Sequence, residues 1–144
     1  MKKKILIIAI VILLLGSVFS LTIKPVRNKF IDSMIPQISK TENCYYTDED
    51  IESAVKCVKE HYKQKDKWVI PVRFSFSEEK SNRTLNGYHL TETTAKENII
   101  VLYCDYVVLK DFAAYSQGIY TNFAAILARE NADSPWEHVD GGYA

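Results

Sequence analysis

The chain has 144 residues, with 18 Lys and Arg against 18 Asp and Glu and a formal net charge of zero, so it lacks the basic excess that holds nucleic acid. Its first 20 residues carry three lysines and no acid, which leaves the remainder mildly acidic and strengthens that exclusion. A body of about 120 residues can bury most of the surface of its unfolded chain, which suits one domain, and nothing suggests a second.

Lys2, Lys3 and Lys4 precede an uncharged run from Ile5 to Ile23. A positive start, the apolar stretch Ile5 to Leu15 and then Gly16 to Ser20, with Val18 and Ser20 small, match the zones of a secretory signal cut after Ser20. The run counts 19 residues. At about 1.5 Å each it reaches roughly 28 Å, near the hydrocarbon thickness of a bilayer. Residues 1–23 are therefore a signal peptide or a signal anchor. The anchor is preferred because Leu21, Thr22 and Ile23 continue the apolar run, and Lys24, Arg27 and Lys29 then stop it. The leading lysines keep the start inside, so the expected location is the cell membrane with the domain outside, or secretion after cleavage near Ser20. Leu14-Leu15-Gly16 is followed by Ser17 and not by cysteine, so no lipid attachment is expected.

Residues 24–43, with Pro25 and Pro36 among scattered polar groups, read as a stalk or loosely docked arm, which leaves 44–144 as the folded domain. Thr47-Asp48-Glu49-Asp50 opens a helix, with a hydroxyl to accept from the first turn and acids where the helix dipole is positive. The helix is expected to run to about Lys65. Ile51, Ala54, Val55, Val58 and Tyr62 recur at steps of three and four and predict one buried face. Lys59, Lys63, Lys65 and Lys67 gather at its far end, which the dipole alone explains.

From Trp68 the period changes to two: Trp68, Ile70, Val72, Phe74 and Phe76 alternate with Val69, Pro71, Arg73, Ser75 and Ser77. That pattern predicts a half-buried strand, and Pro71 places it at an edge or a bulge. Residues 78–97 are polar, with Asn86-Gly87 as a turn and Thr91 to Glu97 as a short helix. Ile99 to Leu109 is apolar on both faces and predicts a central strand. Ile119 to Glu130 follows as a third strand, and a loop through Pro135 leads to a short last one, Trp136 to Asp140.

One amphipathic helix followed by four strands predicts an α+β fold, a curved antiparallel four-stranded sheet covering the helix stripe. That arrangement resembles the cystatin-like and nuclear-transport-factor-2-like rolls. The resemblance narrows on particular residues: the opening Tyr46 to Ile51, the stripe Val55 to Tyr62, the run Ile99 to Tyr106, Leu127-Ala128-Arg129-Glu130, and the ending Pro135 to Tyr143. Together these are similar to an uncharacterised family, a domain of unknown function, of small exported bacterial proteins, over about residues 45–143. The resemblance implies the fold and the exported location, and it carries no activity. The chain departs from the family pattern at Asp140-Gly141-Gly142.

Chemistry is sparse. Cys57 and His61 lie four apart on one side of the helix, with Cys44 upstream, but a structural zinc wants four ligands and a catalytic one three, so no metal and no cofactor are expected. No Gly-x-Ser-x-Gly elbow exposes a nucleophile, and none of the five glycines sits in a phosphate-cradling loop. Cys44, Cys57 and Cys104 are an odd set. One pair among them could close a disulfide worth roughly 3 to 4 kcal/mol, or all three could pack as small apolar side chains. Asn82-Arg83-Thr84 is a formal glycosylation sequon and is taken as coincidence.

Two function classes stay open. The first is an extracytoplasmic, membrane-associated accessory or binding module without catalysis. Its ligand would be an envelope protein, a peptide or a glycan, met by Trp68, Tyr103, Asp105, Tyr120, Trp136 and His138. The second is a small pocket enzyme of the roll type using Asp105 or His138. An enclosed pocket with either residue pointing in and a shifted pKa favours the enzyme, and a filled concave face with exposed aromatics favours the binder.

Overall fold

Thr47 caps helix α3 (Asp48–Gln64) through a reciprocal box: the Asp50 amide donates to the Thr47 hydroxyl at 3.1 Å, and the Thr47 amide donates to the Asp50 carboxylate at 2.9 Å. Its buried residues are Ile51, Ala54, Val55, Val58 and Tyr62, the stripe that the spacing predicts. The structure, a computed structural model, describes residues 2–89 and 94–143. Before α3 come α1 (Lys2–Ser20), α2 (Lys24–Ser33) and β1 (Gln37–Ser39). After it come β2 (Val69–Ser77), α4 (Glu78–Leu85), a short 3-10 turn (Lys96–Asn98), β3 (Ile99–Val108), β4 (Gly118–Ala128) and β5 (Glu137–Tyr143).

The fold is α+β, as expected, but the single helix and four antiparallel strands are corrected. Four helices and a five-stranded mixed sheet stand among the described residues. The strand order is β1-β2-β3-β4-β5, with β1 parallel to β2 and the other pairs antiparallel. Residues 24–43 carry two of the additional elements. Pro25 sits in the first turn of α2, where its missing amide costs nothing, and Ile31 joins the core at 0% exposure. The other unforeseen helix, α4, is hidden by composition. Its inward residues are Glu78, Ser81 and Leu85. Glu78 accepts from the Thr41 amide and hydroxyl, and Ser81 accepts from the Val101 amide, so polar contacts stand where an apolar stripe would have given a signal. The short helix expected at Thr91 to Glu97 lies partly outside the described residues.

Two layers cover the sheet. On one face α3 packs Val55, Val58 and Tyr62 against Phe74, Phe76, Leu102, Cys104, Tyr106 and Leu127. On the other, Leu85 of α4 meets Ile99, Val101, Tyr103, Ala124 and Ile126. This explains why β3 is buried almost throughout. The expected alternation in β2 fails at Pro71. The register slips between Pro71 and Arg73, Val72 turns outward at 46% exposed, and Val69 joins the same core as Phe74. Proline is tolerated there because β1 pairs only with Ser75 to Ser77, leaving that end of β2 as a sheet edge.

The α1–α2 region departs from the simple picture of a span halted by basic residues. Arg27 is 2% exposed. Its guanidinium donates to the carbonyls of Tyr62, Lys63 and Val69, the first two in the last turn of α3, where the helix dipole is negative. Arg27 therefore docks α2 on the domain. Among the described residues no single helix is long and apolar enough to cross a membrane. Ile10–Ser20 and Lys24–Ser33 meet that test together only as a pair bent by 93°.

Candidate functional site

A cavity of about 170 Å³ opens on the α3 side of the sheet, beneath the C-terminal half of α3. Its floor is apolar, made by Val69, Ala125 and the faces of Tyr106 and Phe123. Its polar groups come from three elements: His61 and Lys65 at the end of α3, Tyr115 in the loop before β4, and His138 in β5. The two imidazoles stack, with centroids 4.0 Å apart and planes 10° from parallel.

A bulge aims His138 at the cavity. Between Ile126 and Leu127 of β4 the register with β5 shifts, so that Asp140 faces Ile126, His138 faces Leu127, and Val139 is the extra residue. Gly141 and His138 consequently share the face turned to the cavity. A Cβ on Gly141 would lie 3.0 Å from the Ala124 carbonyl, 3.2 Å from the Phe123 ring and 3.5 Å from His138 Nε2. Glycine thus leaves this wall of the cavity open.

Burial lowers the His61 pKa to about 4, assisted by His138 and Lys65. His138 moves down for the same leading reason, with Lys65 adding to the shift and Asp140 opposing it. Both rings are half-buried and, at neutral pH, uncharged. Burial also raises the Tyr62 hydroxyl, and takes the Cys104 thiol beside it up to about 12. Both stay protonated and structural.

The residues singled out in the sequence do not converge. His138 lines the cavity, and Tyr120 reaches it indirectly by stacking on Tyr106 at 4.9 Å. Asp105 and Tyr103 lie on the α4 face of the sheet. Asp105 pairs with Arg73 at 2.7 Å and accepts from the Asn122 amide at 2.8 Å, which holds Asn122 at a φ of 53° in the bulge of β4. Tyr103 bonds the Thr84 hydroxyl on α4, so the sequon lies on a helix and not on a surface loop. Trp68 is half-buried at the far loops, where Lys67 and Lys110 flank its ring. Trp136 is 6% exposed, a core residue beneath the Arg129 guanidinium, and donates to the Asp50 carbonyl.

Arg129 and Trp136 border a wider groove of about 890 Å³ along the outer side of α3. Its most buried charged groups, Arg129 and Asp50, satisfy one another. Arg129, with its side chain 6% exposed, pairs with Asp50 and also donates to Asn98 and to the Glu97 carbonyl. That part of the C-terminal Arg, Trp series is a clamp between β4, the β4–β5 loop and the α3 cap. The groove has lesser claim to a ligand than the cavity it adjoins at His61.

The three cysteines are unpaired in the structure and pack as small apolar side chains, one of the two alternatives open from the sequence: Cys104 is buried, while Cys44 and Cys57 are partly buried against the core. Among the described residues no three His, Cys, Asp or Glu side chains gather as metal ligands. The chain matches no family model, no characterised protein and no solved structure. Its function is therefore argued from the cavity itself.

The sequence reading did not single out Lys65, Tyr106, Tyr115, Phe123 or Gly141 as site residues, and it weighed His61 only as a partner of Cys57. No local signal joins His61 to His138. The bulge at Val139 brings them together, and a bulge leaves little trace in a short strand.

Proposed function

We propose that this chain is a binding module, held at or released from the outer side of a membrane by residues 5–23, that takes a small ligand into the cavity beneath α3 without transforming it. The observation that carries the reading is a cavity whose walls are aromatic and aliphatic and whose lining includes no carboxylate. Acid–base work needs a base oriented by a partner and a matching acid. Here, among the described residues, no carboxylate or other side chain orients either imidazole by a hydrogen bond.

The second reading, a pocket enzyme, keeps one favourable observation: His138 faces the cavity with a lowered pKa. Asp105 lies on the opposite face and leaves that reading with half of its residues.

The tether is supported by α1. Ile12, Leu13, Leu15 and Phe19 are each more than 60% exposed, an apolar surface that water does not favour and a bilayer accepts. Expression in a bacterial host tests it. The chain is expected to sediment with membranes, and its domain to be cut by protease added to spheroplasts. Recovery in the cytosolic fraction with its start intact overturns the tether.

The binding function is tested on the full chain in detergent micelles by methyl NMR against a fragment library. Shifts at Ala125 and Val69 on adding fragments are expected. A library that moves neither methyl overturns the reading.

A further inference from the structure

We propose that the cavity is an anion site: it takes a small monocarboxylate with an aromatic or branched aliphatic body, the carboxylate on Lys65 Nζ and the His61 imidazole N–H, the body on Tyr106 and Phe123. The inference rests on the reading of this cavity as a binding site and adds the chemical class of what enters.

The charge distribution carries it. Lys65 lies on the cavity wall, and among the described residues it has no ion-pair partner. Its hydrogen bond is a long one, 3.4 Å to the Tyr115 hydroxyl, with Nζ 6.0 Å from that ring's centroid. The acids nearby face elsewhere. Glu60 pairs with Lys63, Asp66 accepts from the Trp68 amide, and Asp140 is exposed and bonded to the Tyr88 hydroxyl and the Gly141 amide. A partly buried ammonium at the mouth of a cavity without carboxylates creates a positive potential that a small anion would satisfy.

An imidazole supplies direction. Among the described residues no side chain of another residue hydrogen-bonds a ring nitrogen of His61 or His138; the His138 ring meets only its own backbone, and the neutral His61 ring has an N–H to offer. Hydrogen bonds from such a donor and from an ammonium to a carboxylate are stronger than neutral ones, which gives an anion an advantage over a neutral ligand of the same shape.

Size and lining set the body. A dry apolar cavity of about 150 Å³ holds benzene, and this one measures about 170 Å³. One ring or one branched chain fits. A dicarboxylate would carry a second charge onto Val69, Ala125 and Phe123, where nothing pairs with it.

The test uses the full chain in detergent micelles near neutral pH, titrated separately with sodium benzoate and with benzyl alcohol and read at the Ala125 and Val69 methyls. Benzoate is expected to bind about tenfold more tightly, and the advantage to shrink with added salt. Lys65→Met is expected to remove the advantage of benzoate over benzyl alcohol. Equal affinities for the two probes, or benzoate binding indifferent to both Lys65→Met and salt, overturn the anion assignment and leave the binding reading standing. Failure of both probes to move either methyl overturns the anion site and, if no fragment moves them either, the binding reading with it.

Discussion

The imidazole of His138 on the last strand lies flat against that of His61 on α3, 4.0 Å away, and the contact ties the sheet edge to the helix. An imidazole with a lowered pKa binds fewer protons folded than unfolded, so stability rises with pH across the interval between the two values. For His61 that interval runs from about 4 to 6.5, and the His138 shift has the same sign. Stability is therefore expected to fall as pH is lowered from 6.5 towards 4. Asp50 is held below its ordinary value: burial alone would raise it, but hydrogen bonds from Thr47 and Arg129 outweigh that effect, so its loss comes only below 3.8. Urea unfolding at stepped pH checks this. His61→Gln should flatten the slope in that interval, and an unchanged slope would remove the pair from the account.

Arg129 is the second tie, this one between the β4 end and the α3 cap. Its guanidinium pairs with Asp50 and lies 4.3 Å from the Trp136 ring centroid. Arg129→Met leaves Asp50 without its cation, and the Glu97 carbonyl and Asn98 side chain without a donor. A loss of about 2 to 3 kcal/mol is expected, less than for a fully buried pair because Asp50 keeps its Thr47 bonds and some water. Arg129→Lys should recover little, since an ammonium cannot reach these acceptors as a planar fork does. Full recovery by lysine in thermal unfolding would show that charge alone matters.

Arg27 gives a prediction about the membrane-proximal segment. It closes the C-terminus of α3 with a cation, donating to the Tyr62 carbonyl at 2.5 Å and the Val69 carbonyl at 3.0 Å. Arg27→Met is expected to cost about 2 to 3 kcal/mol and to release α2. Hydrogen exchange should then speed up at residues 27–33 well before the sheet does. If those amides keep wild-type protection, α2 is held by Ile31 and by the contacts of Lys59 and Lys63 with its C-terminal end, without need of Arg27.

The parts legible in the sequence are those where an apolar side chain marks each inward position. The α3 stripe from Ile51 to Tyr62, the Thr47 cap and the two-sided burial of Ile99 to Val108 come directly from periodicity. What escaped is polar or geometric. Helix α4 turns Glu78 and Ser81 inward and α2 buries an arginine; of the two bulges that each reverse the parity of a strand, the proline marks the one at Pro71 and nothing marks the one at Val139. The cavity depends on the second of these reversals. His138 was a candidate as an isolated side chain, and its partner and surroundings follow from a register that no local pattern encodes.

Asp105 separates a structural from a catalytic role. Asp105→Ala removes the acceptor of the Asn122 amide and the partner of Arg73, whose side chain is 42% exposed. A loss of about 1 to 2 kcal/mol is expected, since part of the pair is screened by water. Fragment shifts at Ala125 and Val69 should persist in the folded variant, because Asp105 faces away from the cavity. Loss of those shifts without unfolding would return Asp105 to the site.

Gly141 and Gly142 are adjacent and chemically identical, yet only the first is constrained. A Cβ at Gly142 meets nothing within 4 Å, whereas one at Gly141 lies 3.0 Å from the Ala124 carbonyl, a backbone atom that cannot swing aside. It also presses on the Phe123 ring at 3.2 Å, which the cavity floor needs in place. Gly141→Ala must therefore separate β5 from β4 by a few tenths of an ångström or push Phe123 inward. The expected cost is about 1 to 3 kcal/mol, with weaker binding of any cavity ligand. Gly142→Ala is expected to lie within about 0.5 kcal/mol of the parent in the same urea titration. Equal stabilities for the two variants would mean that β5 is not held at the register that brings His138 onto His61.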